Sequence, residues 1–301
     1  MTDVLALPAG LTQRPLVLSD ARAVYEVMAA QEQRDLDEVS IEEADIVGDW
    51  QRPSYDVSAG TVGVFDGDHL VAYAEVSGGD RGDAAVHPDY RGQGIGTALA
   101  GWMQSRARAA GSTVVGMPVP VGSAGDRLLS DLGYHVRWES WELELPEGAT
   151  VPERALPAGY AIREATADDH EACWTVLEDA FLEWSVRERD SFEDFLARTT
   201  QRPGFEPWHL RVATDPAGEV VGVTFVYLFG TMGYVDRIAT RKDQRGQGIA
   251  QAMLVDAFAV AREHGALTST LNTDSRTGAL GLYERVGMRV FRTWVNRAIS
   301  L

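Results

Sequence analysis

Two short glycine-rich stretches, about 150 residues apart, carry the clearest chemical signal in this chain. The first reads VHPDYRGQGIG (residues 86–96) and the second reads TRKDQRGQGIA (residues 240–250). Each follows a pattern typical of a strand and precedes one typical of a helix. In such a turn, backbone N–H groups converge on one point, and the helix N-terminus adds partial positive charge there. Both stretches therefore predict a site that binds an anion, such as a phosphate group.

The order of residues distinguishes three kinds of phosphate-binding loop. A P-loop needs Gly-Lys followed by Ser or Thr, which neither copy has. A dinucleotide-binding loop needs G-x-G-x-x-G, whereas the first copy reads G-x-G-x-G. Both copies instead share R-x-x-G-x-G/A, which begins at Arg91 and at Arg245. The plainer interpretation is that the two glycine turns only begin helices, but the repetition of the motif argues against it.

This shared motif resembles the pyrophosphate-binding loop of the GNAT superfamily of acetyl-CoA-dependent N-acetyltransferases. The resemblance implies acetyl-CoA as the acyl donor and binding of the donor by the loop residues, and the spacing of the histidines predicts no metal ion. Those residues are Arg91, Gly92, Gln93, Gly94, Ile95 and Gly96 in the first copy, and Arg245, Gly246, Gln247, Gly248, Ile249 and Ala250 in the second.

The repeat extends beyond the loops. The sequence LPAG at residues 7–10 recurs at 156–159, and Arg91 recurs as Arg245, so the two halves stay nearly in register. A repeat of this length indicates two domain-sized copies. We therefore predict an N-terminal domain over residues 1–145, an exposed linker over 146–158, which carries three prolines, and a C-terminal domain over 159–301.

Each half is predicted to be a mixed α/β (α+β) domain in which a mostly antiparallel sheet is flanked by helices. Residues 21–32 and 170–181 follow capping residues and are expected to form helices. Hairpin strands are predicted over 61–65 and 70–76, and over 210–214 and 220–228. The helix after each glycine loop is expected to end at Gly111 or Gly265. A strand, a short helix and a last strand then complete each half.

The resemblance also bears on which half is catalytic. In this superfamily the proton for the departing thiolate is attributed to a tyrosine near the start of the last short helix, in a pattern like L-Y-E-x-x-G-[FM]. The second half reads LYERVGM at 282–288, which puts Tyr283 in that position, whereas the first half reads LLSDLGY at 128–134 and has Leu129. The second half is therefore predicted to be catalytic and the first to be a degenerate copy. A packing role for Tyr283 is the alternative.

The general base is predicted to be Asp236, on the segment that leads into the second loop. A water chain is the competing interpretation, and Asp236 could instead pair with Arg237 or Arg241. The acceptor pocket is expected between the helices over 170–198, where Asp179 and Glu183 have helical spacing and could hold a cationic group. These acids could equally form a solvated helix face. The superfamily often has Asn seven residues before the tyrosine, and Arg276 occupies that position.

Composition excludes several other classes. The net charge is −18, with 10 basic and 24 acidic residues in 1–150 and 17 and 21 in 151–301, so the less acidic second half suits a polyanionic donor better. Such a surface disfavours nucleic acid and anionic membranes. Cys173 is expected to be a core residue, the six histidines have no metal-ligand spacing, and no G-x-S-x-G is present. Without a signal-peptide pattern or a long apolar run, the expected location is the cytoplasm.

The favoured interpretation is transfer of acetyl from acetyl-CoA to a primary amine of a small, possibly cationic molecule, by direct attack in a ternary complex. No activated nucleophile is visible, so no acyl-enzyme is expected. One alternative is a non-catalytic acyl-CoA-binding or regulatory protein. Another is an enzyme that uses a longer acyl chain or an alcohol acceptor. The protein is expected to be a monomer or a homodimer.

Overall fold

The computed structural model describes residues 4–301, so residues 1–3, with which the predicted N-terminal domain begins, lie outside the described residues. The strands are β1 (Leu11–Arg14), β2 (Thr61–Asp66), β3 (His69–Ser77), β4 (Arg81–Val86), β5 (Val114–Pro120), β6 (His135–Leu145), β7 (Ala161–Glu164), β8 (Leu210–Thr214), β9 (Val220–Phe229), β10 (Met232–Thr240), β11 (Thr268–Asp274) and β12 (Arg289–Ser300). The helices are α1 (Ala21–Leu36), α2 (Glu43–Trp50), α3 (Val57–Gly60), α4 (Ile95–Ala109), α5 (Ala124–Asp131), α6 (His170–Phe181), α7 (Phe192–Arg198), α8 (Ile249–Glu263) and α9 (Leu280–Arg285).

The chain forms two compact units that exchange their last strands. One unit contains the chain up to Glu139 together with Trp294–Leu301, and the other contains Ser140–Thr293. The boundary therefore falls inside β6, whereas the sequence analysis put it in a linker over residues 146–158. The reason is strand pairing, because β6 pairs with β11 from Ser140 onward, while β12 pairs with β5 from Trp294 onward.

In the first unit the strand order is β1-β2-β3-β4-β5-β12. Neighbouring strands are antiparallel except β4 and β5. One face of this sheet packs on α4 through a core that includes Val64, Leu99 and Met103. The other face packs on α1 and α2, with Val24 and Trp50 in its core.

In the second unit the strand order is β6-β11-β10-β9-β8-β7. Here β10 and β11 are the parallel pair and the remaining neighbours are antiparallel. Helix α8 covers one face over Leu254 and Phe258, and α6 and α7 cover the other face over Leu177 and Phe195. Each unit is thus a mixed, mostly antiparallel sheet flanked by helices, which confirms the predicted fold class.

Many local elements follow the sequence closely. Helix α6 occupies the predicted residues 170–181, and α1 begins as predicted at Ala21 but continues to Leu36. Gly111 and Gly265 follow α4 and α8 with φ of +82° and +106°, the left-handed conformation expected after a helix. Cys173 of α6 is fully buried in the core, as predicted. Among residues 4–301, no helix combines the length and the apolar character needed to cross a membrane.

Candidate functional site

The two glycine loops have the same backbone conformation. Gly92 and Gly94 have φ of +76° and +86°, and Gly246 and Gly248 have +77° and +86°. Gly94 and Gly248 are the N-cap residues of α4 and α8. The first N–H groups of a helix have no partner within the helix, so in both units they are directed into the loop. Both loops therefore have the geometry that an anion site requires.

The other predicted loop residues are of two kinds: some are exposed on the loop, and others are buried and attach it to the core. Gln93 and Gln247 are exposed, whereas Ile95 and Ile249 are each 1% exposed and fix the start of the helix to the core. The last position differs between the two copies. A Cβ at Gly96 would lie 2.8 Å from Leu128 Cδ2, so a larger residue there would require the Leu128 side chain to shift. The second copy has Ala250.

Each loop arginine binds an acid from the first long helix of its unit or just beyond it. Arg91 Nη1 and Nη2 donate to Asp35 of α1 at 2.7 and 2.8 Å. Arg245 Nη1 and Nη2 donate to Glu183, two residues after α6, at 2.9 and 2.8 Å. The pair in the first unit is the more buried of the two. These arginines therefore fix the position of the loop, and the backbone N–H groups are left as the donors that could bind an anion.

Next to the second loop, the parallel strands β10 and β11 separate. They pair from Met232 and Thr268 to Val235 and Leu271. A β-bulge then occurs at Asp236, after which β10 pairs only with β9, and β11 continues along β6. The backbone groups of β10 beyond the bulge therefore have an open side toward β11. Bulges of this kind often occur beside active sites.

Tyr283 lies in α9 with its ring buried and its hydroxyl free. The side chain is 7% exposed, and the hydroxyl makes no hydrogen bond with any residue of the described range 4–301. Burial raises the pKa of Tyr283 to about 12. The phenol therefore carries its proton at neutral pH and could donate it to a departing thiolate. At the corresponding place in α5 of the first unit, Leu129 is 3% exposed and has no proton to give.

Asp236, the predicted base, occupies the bulge and is exposed. Its Oδ2 accepts a hydrogen bond from Arg237 Nε at 3.1 Å, so one of the pairings considered from the sequence is present. The other is absent, because Arg241 pairs with Asp243 at 2.7 Å. The carboxylate remains accessible at the point where β10 and β11 separate, and its role as the base stays a prediction.

Four acids in or near the segment expected to line an acceptor pocket, residues 170–198, are bound to arginines. Glu178 is 3% exposed and accepts two hydrogen bonds from Arg187. The other pairs are Asp179 with Arg189, Glu183 with Arg245, and Asp190 with Arg198. These four acids therefore carry little uncompensated negative charge, and they give a cationic acceptor no direct support. The sequence signal for this pairing is the run RERD at 187–190.

Arg276, at the position where the superfamily often has Asn, is fixed in the loop before α9. Its Nη2 donates to Asp274 Oδ2 at 2.6 Å. Its guanidinium lies 4.8 Å from the centre of a ring of Trp184. The tryptophan therefore borders the loop between β11 and α9.

The first unit contains a pair of carboxyl groups that the sequence analysis missed. Glu75 of β3 and Asp83 of β4 are directly opposite in the antiparallel ladder and share the face that packs on α1 and α2. Trp50 Nε1 donates to Glu75 Oε2 at 2.8 Å. Burial, followed by the charge of Asp83, raises the pKa of Glu75 to about 7. Burial also raises the pKa of Asp83.

In the second unit the corresponding positions hold different residues. Eight positions before the loop arginine, Arg237 stands where the first unit has Asp83. Its partner across the ladder is Phe225, in place of Glu75. The faces beside α1 in one unit and α6 in the other therefore have unlike chemistry. Strand alternation alone identifies Glu75 as a neighbour of Tyr73 on that face, but the register with β4 is needed to find the pair.

No group of three or more His, Cys, Asp or Glu side chains within residues 4–301 is arranged to hold a metal ion.

Comparison with known proteins agrees with these features. The model of the acetyltransferase (GNAT) family matches residues 22–120 and 154–288, one match for each glycine loop. A mycothiol acetyltransferase of Salinispora arenicola is 30% identical over 254 residues, which are 78% of this chain and 80% of that protein. A mycothiol acetyltransferase of Thermobispora bispora is 29% identical over 247 residues, with 77% and 79% covered.

Among solved structures, a GCN5-related N-acetyltransferase from Sphaerobacter thermophilus superposes with a TM-score of 0.73 at 27% identity, covering 98% of this chain and 97% of that one. A tandem GNAT protein from the clavulanic acid biosynthesis pathway has a TM-score of 0.71 at 17% identity and covers 96% and 98%. The second match shows that the fold is shared. Together the matches confirm the resemblance predicted from the two loops.

Proposed function

Because the chain belongs to the GNAT family and is an acyl-CoA-dependent N-acetyltransferase, we propose that it transfers acetyl from acetyl-CoA to a primary amine of a small molecule. Catalysis takes place in the C-terminal half. The observation that carries this proposal is Tyr283, which has a buried ring, a free hydroxyl and a raised pKa. The first half has Leu129 in its place.

The donor is bound by residues 245–250. The N–H groups at the start of α8 hold the pyrophosphate, because they lack helical partners and point into the loop. The open side of β10 beyond Asp236 supplies backbone groups to the amides of the pantetheine arm, as an added strand would. This brings the thioester to the gap between β10 and β11. The loop at residues 91–96 binds acetyl-CoA in the same way but without turnover.

The reaction is direct attack of the amine on the thioester carbonyl. The amine nitrogen forms the new C–N bond, and the C–S bond breaks as the tetrahedral intermediate collapses. Asp236 removes the proton from the attacking amine, directly or through water. Tyr283 gives its proton to the departing thiolate. Both substrates must be bound together, so the kinetics are those of a ternary complex without a covalent enzyme intermediate.

Two relatives of this chain are named mycothiol acetyltransferase, and their name indicates the class of acceptor molecule. We propose a small amine of this kind. The arrangement of two copies with the tyrosine motif in the second alone also resembles mycothiol synthase. Glu178, Asp179 and Asp190 are neutralised by arginines, so recognition of the acceptor through these acids does not depend on a strong positive charge.

The test is an acetyl-transfer assay with acetyl-CoA and a panel of small amines that includes desacetyl mycothiol. Free CoA and the acetylated product are measured together by mass spectrometry, and alcohols and longer acyl-CoAs serve as comparison substrates. Product from an amine with intersecting initial-rate lines supports the proposal. Binding of acetyl-CoA without product from any acceptor favours a regulatory protein instead. A preference for longer acyl-CoAs or for alcohols would replace the assigned substrate class.

A further inference from the structure

The segment that enters the second copy, residues 151–160, is docked along the second glycine loop. Val151 is buried in the core beneath α8. Gln251, in the first turn of α8, donates from Nε2 to the carbonyl oxygen of Pro152 at 2.8 Å. At the other end, the Tyr160 hydroxyl donates to Gln244 Oε1 at 2.7 Å. The residues between these contacts are therefore fixed beside the loop.

Arg154 lies in this stretch and covers Gly248. A Cβ built on Gly248 would lie 2.5 Å from Cδ and 3.0 Å from Cγ of Arg154. Arg154 is exposed and forms no hydrogen bond or ion pair with the rest of the described chain, residues 4–301. The loop's own arginine differs, since Arg245 is bound to Glu183.

An unpaired guanidinium at this place is electrostatically unfavourable by itself. The N-terminus of α8 carries partial positive charge, so the two groups repel each other. An anion held between them removes the repulsion and binds both. The planar guanidinium, with its several N–H donors, also matches phosphate oxygens better than an ammonium group does.

The first glycine loop lacks this cation. A Cβ on Gly94 would meet no atom within 4 Å. The offset that aligns the LPAG sequences puts Leu5 where the second copy has Arg154. Leu5 is 8% exposed and belongs to the core of the first unit. The two loops thus share a backbone but differ in the charge that faces it.

We propose that Arg154 is a phosphate-binding residue of the second loop, which contacts the pyrophosphate of acyl-CoA and makes this loop the tighter of the two acyl-CoA sites. The inference rests on the proposed function, because it assumes that acyl-CoA binds at residues 245–250. In the ligand-free state the side chain lies over Gly248, and it moves onto the phosphates as they enter the loop.

The test is titration calorimetry of CoA with the full chain carrying Gly94→Glu, so that only the second loop binds. Arg154→Gln is compared with Arg154→Lys and with Arg289→Gln, which removes an exposed charge from the same unit. We expect Arg154→Gln to weaken binding by about 10- to 100-fold, the range for losing a charge-assisted hydrogen bond. Lysine should restore part of the affinity, and Arg289→Gln should leave it unchanged.

Dephospho-CoA, which keeps the pyrophosphate and lacks the 3′-phosphate, should show the same loss with Arg154→Gln. If Gly94→Glu does not fold, Gln93→Glu replaces it, because Gln93 is exposed and its substitution introduces no backbone strain. Unchanged or tighter binding by Arg154→Gln overturns the inference alone, since the arginine would then only cover the loop. Absence of CoA binding at the second loop of the parent protein overturns the proposed function as well.

Discussion

The two glycine loops of this chain have nearly the same φ angles but unlike surroundings. Gly94 and Gly248 both have φ of +86° at the start of a helix. Around the second loop are Tyr283 and the unpaired Arg154, whereas the first has Leu129 and Leu5 at those places. Duplication therefore preserved the backbone that can bind an anion. The side chains around it that could take part in a reaction are present in the second copy only.

Under the proposed function, the comparison means that a binding loop and a catalytic site are separable features of one fold. The loop depends on φ angles that glycine adopts readily, so it persists wherever the glycines persist. In the proposed mechanism, proton transfer depends on single side chains, and leucine in place of tyrosine removes the proton donor. A copy can therefore keep its affinity for the donor after losing turnover.

The largest effect is expected from Tyr283→Phe. Loss of a general acid lowers turnover by about 10²- to 10⁴-fold, with little change in the affinity for acetyl-CoA. The matched control is Tyr134→Phe, which removes a buried hydroxyl beside α5 of the first unit. It should leave turnover unchanged. Normal turnover by Tyr283→Phe would mean that the ring only packs α9 against the sheet.

A smaller effect is expected from Asp236→Asn. If the carboxylate removes the proton from the amine, turnover falls by about 100-fold, and the loss is greatest at low pH, where more of the amine is protonated. Asp168→Asn is the control, because Asp168 is exposed and lies in the same unit. A variant that retains the parent rate and pH profile would assign the proton transfer to water.

The carboxyl pair of the first unit predicts a dependence of stability on pH. The folded-state pKa of Glu75 is raised to about 7, so the folded protein binds the proton more tightly than the unfolded chain does. Stability therefore falls as the pH rises from about 4.5 to about 7, and above this range the full cost is present.

Glu75→Gln should remove part of this loss and stabilise the protein at pH 8 by about 2 kcal/mol. This stabilisation is smaller than the full pKa shift of Glu75 would correspond to, because the Glu75 side chain is partly exposed and solvent screens its charge. Urea unfolding at pH 5 and pH 8 measures the difference. Equal pH dependence of the variant and the parent would show that Glu75 titrates normally. The second unit has Phe225 at this position, and phenylalanine does not titrate, so this position adds no pH dependence to the stability of that unit.

The smallest effect concerns the arginines that fix the loops. Arg91 and Asp35 are more buried than Arg245 and Glu183. Arg91→Gln should therefore cost about 1 to 2 kcal/mol of unfolding free energy, and Arg245→Gln less than about 1 kcal/mol. Denaturant unfolding compares the two. A larger loss of unfolding free energy from Arg245→Gln would indicate that exposure does not determine how much these ion pairs contribute to stability.

Much of the fold could be predicted because its signals are local. Capping residues and glycines give helix ends, and α6 matches its prediction at both ends. The repeated loops gave the family, and one aligned position gave Tyr283. The exchange of β6 and β12 could not be predicted, because alternation within a strand does not tell which sheet the strand joins.

Other features of the site depend on contacts that are distant in sequence. Glu183 was considered as an acceptor ligand, but it binds Arg245, which is 62 residues away. Arg154 lies in a segment without periodicity, so no pattern places it over Gly248. The pair of Glu75 and Asp83 depends on the register between two strands.

The central claim is that the second copy alone carries out turnover, and reciprocal loop variants test it most directly. Gly94→Glu and Gly248→Glu put the same charge at the same φ of +86°, so the backbone strain is matched. At Gly248 the new side chain also displaces Arg154, whereas at Gly94 it meets no atom within 4 Å. We expect Gly248→Glu to lower kcat/KM for acetyl-CoA by at least about 100-fold, and Gly94→Glu to change it by less than about threefold. The reverse result, with activity lost only in Gly94→Glu, would contradict the account.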